Sequence, residues 1–136
     1  MLLWASMPTP LIVVVNDDPA FLDMMSDVLI DEGYRVLTSF NVPHALVTIR
    51  EQQPDLVFLD IRMEKPGAGW TLLHTLRSGA DTSKIPVIIS SADEHFLAAR
   101  ATQLAAHRVE ILEKPFDIDD MIDTIKQILD PSARTS

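Results

Sequence analysis

The chain has 136 residues, the size of one domain, and 47% of them are apolar, enough for a core at that length. No apolar run approaches the roughly 18 residues that a membrane span needs. The formal net charge of −9 repels a phosphate backbone, so direct nucleic-acid binding is not expected. Cysteine is absent, which excludes disulfides, thiolate metal sites and cysteine nucleophiles and fits a cytoplasmic location.

Residues 1–9 lack the basic start and cleavage site of a signal peptide and read as a loose leader. Leu11–Val15 is a continuous apolar, β-branched run and the first predicted strand. From Pro19 to Glu32, Phe21, Leu22, Met25, Val28 and Leu29 fall on one helical face. Asp17 or Asp18 suits its cap, Pro19 its first turn and Gly33 its stop. Val36–Thr38 is the next strand. Asn41 caps a second helix with Ala45, Leu46 and Ile49 inward, and Pro54 bounds its exit. Asp55–Leu59 is a third strand. Trp70, Leu73 and Leu76 mark a third helix that ends near Gly79. Pro86–Ser90 is a fourth strand, and Phe96, Leu97, Ala101 and Leu104 mark a fourth helix. Val109–Leu112 is the last strand. Asp117 caps a fifth helix with Met121, Ile122, Ile125, Ile128 and Leu129 on its buried side.

Short apolar runs without alternation predict strands buried on both faces, as in a parallel sheet. Their alternation with helices predicts an α/β fold, a doubly wound three-layer sandwich of five strands in the order 2-1-3-4-5. Residues 10–130 form this one domain, 131–136 read as a polar tail, and no output domain is expected.

On that frame Asn16, Asp17 and Asp18 follow strand 1, Asp60 ends strand 3, Ser90 and Ser91 end strand 4, and Lys114-Pro115 follows strand 5. All four points fall on one edge of the sheet. Two close carboxylates repel unless a cation sits between them. Mg²⁺ prefers oxygen ligands, and Asp17 and Asp60 can supply two. The Lys114 ammonium suits a phosphoryl or carboxylate oxygen, and the Ser91 hydroxyl can donate to another. Asp60 is then a nucleophile that yields an acyl phosphate. The simpler alternatives are helix-capping aspartates and an ordinary Lys-Pro loop.

The motifs Val14-Val15-Asn16-Asp17-Asp18-Pro19, Asp55-Leu56-Val57-Phe58-Leu59-Asp60-Ile61-Arg62-Met63, Pro86-Val87-Ile88-Ile89-Ser90-Ser91-Ala92 and Lys114-Pro115-Phe116 come in order, each at a strand end. From about Leu11 to Leu129 the chain resembles the receiver domains of two-component response regulators. The resemblance implies a flavodoxin-like fold and Asp60 as phosphoacceptor. It implies Asp17 and the Arg62 backbone carbonyl as ligands, with Asp60, of Mg²⁺ or Mn²⁺. It also implies Ser91 as the switch hydroxyl and Lys114 as the family's lysine. Asp18, Arg62, Ala92 and Asp93 would border the phosphoryl group. A histidine kinase or histidine phosphotransfer protein would be the donor and a downstream protein the target, with a monomer or weak homodimer in solution. Such a domain is no conventional enzyme, but it promotes its own phosphorylation and dephosphorylation.

Three positions depart from the family's pattern. Asn16 replaces the first acid of the usual pair; its amide can orient a metal-bound water but adds no charge. The loop from Glu64 to Gly69 is one residue longer. Ile111 stands at the switch position, where the family carries Tyr or Phe. These departures motivate an alternative, a phosphorylation-independent interaction module on the same fold. A flavin protein is disfavoured because the loop after strand 1 is acidic. A hydrolase of the aspartyl-phosphate type would want an acid where Arg62 stands. The histidines at 44, 74, 95 and 107 share no metal-binding spacing and read as surface residues.

Overall fold

A computed structural model describes residues 9–60, 68–91 and 94–129. The expected leader up to residue 8, the tail from 131, and Arg62, Glu64, Ala92 and Asp93 lie outside the described residues. The strands are β1 (Leu11–Val15), β2 (Arg35–Ser39), β3 (Leu56–Asp60), β4 (Val87–Ser91) and β5 (Glu110–Glu113). The helices are α1 (Pro19–Asp31), α2 (Val42–Gln52), α3 (Ala68–Ser78), α4 (Glu94–Ala99), α5 (Ala101–Ala106) and α6 (Ile118–Leu129). The strands form one parallel sheet in the order β2-β1-β3-β4-β5, the predicted flavodoxin-like topology.

Side chains alternate between the two faces of each strand. Val13, Val15, Val57, Leu59, Val87 and Ile89 pack with Ala45 and Ile49 of α2, Leu72, Leu73 and Leu76 of α3, Leu97 of α4 and Leu104 of α5. Ile12, Val14, Leu56, Phe58 and Ile88 pack on the other face with Leu22, Met25 and Leu29 of α1 and Met121 and Ile125 of α6. Full burial of such a side chain contributes about 1.5–3 kcal/mol, so these two layers carry most of the driving force for folding. β1, β3 and β4 are buried along their whole length.

Helix starts follow the sequence signals. The Asp18 side chain accepts from Ala20 N at 3.0 Å, and Pro19 opens α1. Asn41 Oδ1 accepts from His44 N at 2.8 Å at the start of α2. Gly33 adopts φ +97°, a left-handed conformation that reverses the chain into β2 at little steric cost.

Two expectations are corrected. β2 and β5 are edge strands with a neighbouring strand on one side only, and Arg35, Leu37, Glu110 and Glu113 are exposed; only the three inner strands are buried along their whole length. The single helix expected between β4 and β5 is two short helices. Arg100 leaves helical geometry at φ −115° and ψ 16° and separates α4 from α5. The inward position of Leu97 and Leu104 survives the break, whereas the side chain of Phe96 lies outside what is described.

Candidate functional site

The carboxyl ends of β1, β3, β4 and β5 share one rim of the sheet, and the polar residues meet there. Val15 pairs with Leu59, so Asn16 and Asp60, the next residues, are neighbours. Asn16 continues the Ile12, Val14 alternation and Asp60 the Leu56, Phe58 alternation, which points both side chains to the α1 and α6 face. Asn16 is buried. Its Nδ2 donates to Asp60 Oδ2 at 2.9 Å, and its Oδ1 accepts from Asp18 N at 2.8 Å. One amide orientation satisfies both bonds, so Asn16 fixes the loop entering α1 and the phosphoacceptor candidate together. Its own backbone N–H donates to Ser39 O at 3.0 Å, tying this loop to the end of β2.

Asp60 is only 5% exposed, and a buried carboxylate is costly unless paired. Lys114 supplies the charge: its Nζ stands 3.0 Å from the same Oδ2 that Asn16 contacts. The ammonium also lies 5.8 Å from the Phe21 ring centroid, a cation–π contact that holds it over α1. Lys114 N donates to Ser91 O at 2.9 Å, so β4 positions the lysine backbone. Beside the lysine, Phe21, Met24, Pro115, Phe116 and Ile118 line an open apolar groove of about 440 Å³.

The remaining predicted residues fall as follows. Asp17 is exposed at the rim directly after Asn16. Asp18 is exposed and caps α1 through Ala20 N. Ser91 is buried at the end of β4, where it pairs with Glu113. Ile111 is 41% exposed on β5. Arg62, Ala92 and Asp93 lie outside the described residues. All donors that Asp17 and Asp60 offer are oxygens, a set that suits a hard cation such as Mg²⁺. Among the described residues no group of three or more His, Cys, Asp or Glu side chains forms a ready cage.

Two features escaped sequence reasoning. The amide of Asn16 bonds the Asp60 carboxylate directly, where an outer role toward a metal-bound water was expected; strand parity held that signal. His74 and His107, far apart in sequence, meet at a ring separation of 4.7 Å, with Trp70 at 4.7 Å from His74 and 5.8 Å from His107. Burial, the nearby His74 and Arg77 together push the His107 pKa below its ordinary 6.5. Arg77 anchors this corner through Nε to His107 O at 2.8 Å and Nη1 to Ile85 O at 2.8 Å.

A parallel sheet of this order with an aspartate, a lysine and buried hydroxyls at one rim defines a signalling receiver architecture. Residues 12–126 match the response regulator receiver domain family, and the chain belongs to it. Protein PilH of Pseudomonas aeruginosa is 31% identical over 120 residues, covering 87% of this chain and 96% of PilH. The probable transcriptional regulatory protein TcrX of Mycobacterium tuberculosis is 30% identical over 118 residues, and there the chain spans 49% of the relative's length. The chain thus spans about half of TcrX but nearly all of PilH. Among solved structures, the receiver domain of NtrX from Brucella abortus is 30% identical with a TM-score of 0.74, covering 92% of this chain and 99% of that one. The chemotaxis protein CheY4 of Vibrio cholerae has the same fold, with a TM-score of 0.79 at 20% identity over 90% of this chain and all of that one.

Proposed function

We propose that the chain is a phosphorylation switch in which Asp60 accepts a phosphoryl group from a phosphohistidine on a histidine kinase or histidine phosphotransfer protein. The observation that carries this reading is the buried Asp60 carboxylate held between the Asn16 amide and the Lys114 ammonium at the rim where β1, β3, β4 and β5 end. A carboxylate oxygen attacks phosphorus, the phosphorus–nitrogen bond to the donor imidazole breaks, and the imidazole leaves with its electron pair. The product is an acyl phosphate on Asp60.

Asp17, Asp60 and the Arg62 carbonyl would hold Mg²⁺ or Mn²⁺, which when bound offsets the repulsion between the carboxylate and the incoming phosphoryl oxygens. Lys114 neutralises charge on the phosphoryl oxygens as they approach. Ser91 offers its hydroxyl to another of those oxygens. The Asn16 amide keeps the Asp60 carboxyl in one orientation and lends no charge to the metal. Asp18, Arg62, Ala92 and Asp93 would border the phosphoryl group, and Arg62 and Asp93 would tune its lifetime. Phosphorylation would then shift the β4–α4–β5 region between two arrangements and alter the surface offered to a target protein. Ile111 takes no aromatic part in that shift, because an isoleucine has no ring to swing inward.

The test is incubation with a small-molecule phosphodonor and Mg²⁺, followed by intact mass. The expected product gains one phosphoryl group, and the Asp60→Asn variant gains none. Equal labelling of the variant would remove Asp60 from the role. A partner that binds wild type and Asp60→Ala equally, with no labelling of either, would favour a phosphorylation-independent module.

A further inference from the structure

Asp60, Ser90 and Leu112 form a single row across β3, β4 and β5. Phe58, Ile88 and Leu112 pack on the α1 and α6 face, so by alternation the side chains of this row point there too. Lys114 stands two residues beyond Leu112 on that same face. Its side chain starts past the end of β5 and reaches Asp60 on β3, 3.0 Å away. Between those strands lies β4, and the β4 residue in the row is Ser90. Ser90 is wholly buried, and its Oγ is the buried side-chain polar atom that has no hydrogen-bond partner among the described residues. A buried hydroxyl left unpaired is unfavourable, and an alanine or valine at this inner-strand position would avoid that cost.

We infer that Ser90 is a positioning residue for Lys114, its hydroxyl accepting a hydrogen bond from the ammonium when Asp60 is phosphorylated. The inference rests on Asp60 being the phosphoacceptor. In the resting state the full charge of the carboxylate holds Lys114 at Oδ2. Conversion to an acyl phosphate, a mixed anhydride, removes that charge and places the negative oxygens on the phosphoryl group. The ammonium has three donors, and it turns toward the new oxygens while a second N–H finds the hydroxyl in the row beneath it. Ser90 thus limits where Lys114 can settle from within the row, whereas Ser91 lies one residue further along β4, at the rim.

The experiment compares the full chain as wild type, Ser90→Ala and Ser90→Thr. In the absence of phosphodonor, Ser90→Ala is expected to unfold at the same or higher urea concentration than wild type. With a small-molecule phosphodonor and Mg²⁺, its maximal labelling rate is expected to fall by about fivefold to tenfold at unchanged apparent donor affinity. Ser90→Thr, which keeps the hydroxyl, is expected to label at nearly the wild-type rate. The ¹⁵N resonance of the Lys114 ammonium in the beryllofluoride complex is expected to move in Ser90→Ala and match wild type in Ser90→Thr. Wild-type labelling matched by Ser90→Ala, with an unmoved Lys114 resonance, overturns the inference and leaves the phosphoacceptor reading intact. Marked destabilisation of resting Ser90→Ala overturns it too, because the hydroxyl would already be bonded. Wild type that takes no phosphoryl group defeats the phosphoacceptor reading itself.

Discussion

Asn16→Asp would exchange the amide donor at Asp60 for a second carboxylate at the same place. The Asn16 Nδ2 to Asp60 Oδ2 separation is 2.9 Å, and both residues are nearly inaccessible to water. Two unit charges at that distance repel by about 6 kcal/mol at an effective dielectric of about 20, which is a ceiling. Side-chain movement and proton uptake relieve part of it, while loss of the hydrogen bond to a charged acceptor adds about 1.5–3 kcal/mol. The bond from Asp18 N survives, since a carboxylate accepts as well as an amide oxygen. A net destabilisation of about 2–4 kcal/mol is expected at pH 7.5 in chelator. Mg²⁺ relieves the repulsion by sitting between the carboxylates, and it should stabilise the variant more than wild type. Urea unfolding in chelator and in Mg²⁺ measures both effects. A variant as stable as wild type in chelator would show that Asn16 does not hold Asp60 as described.

Phe58→Ala should cost about 3–5 kcal/mol in urea unfolding, because this fully buried ring contacts Phe21 and Phe116 at centroid distances of 6.3 Å and 6.3 Å. A loss under about 1 kcal/mol would mean that the α1 and α6 layer repacks freely. The lowered pKa of His107 means that the folded state binds fewer protons than the unfolded chain below the ordinary value of 6.5. Its stabilising share is therefore full above 6.5 and lost as pH falls through that value toward the depressed folded one, and His107→Gln should flatten that slope. An unchanged slope would show that the His74–His107–Trp70 contact carries no titration.

Strand identity was legible because inner strands of a parallel sheet need β-branched, apolar side chains on both faces, and Leu11–Val15 and Leu56–Leu59 supply them, although β3 runs one residue later than the expected Asp55–Leu59. Helix starts were legible at Asp18 and Asn41 because capping is local chemistry. The edge character of β2 and β5 was harder to read: Val36 and Leu112 look like any buried strand residue until the topology leaves their strands with one neighbour. The break at Arg100 had no local signal, since neither Gly nor Pro stands there and Leu97 and Leu104 keep a helical spacing across it. At the site, the meeting of Asp60 with Lys114 followed from strand ends alone. The Asn16 contact and the Ser90 row required knowing which face each side chain takes, and a strand shifted by one residue reverses that answer. Long-range meetings such as His74 with His107 depend on how α3 and the chain before β5 pack, which no window of sequence encodes.

The most direct measurement is reductive trapping of the phosphorylated chain with borohydride, followed by peptide mass mapping. An acyl phosphate on an aspartate is reduced to homoserine, which marks the residue that carried it. Homoserine at position 60, dependent on phosphodonor and Mg²⁺, is the predicted result. Homoserine at position 17 or 18, or at no position in a chain that folds normally, would contradict the account.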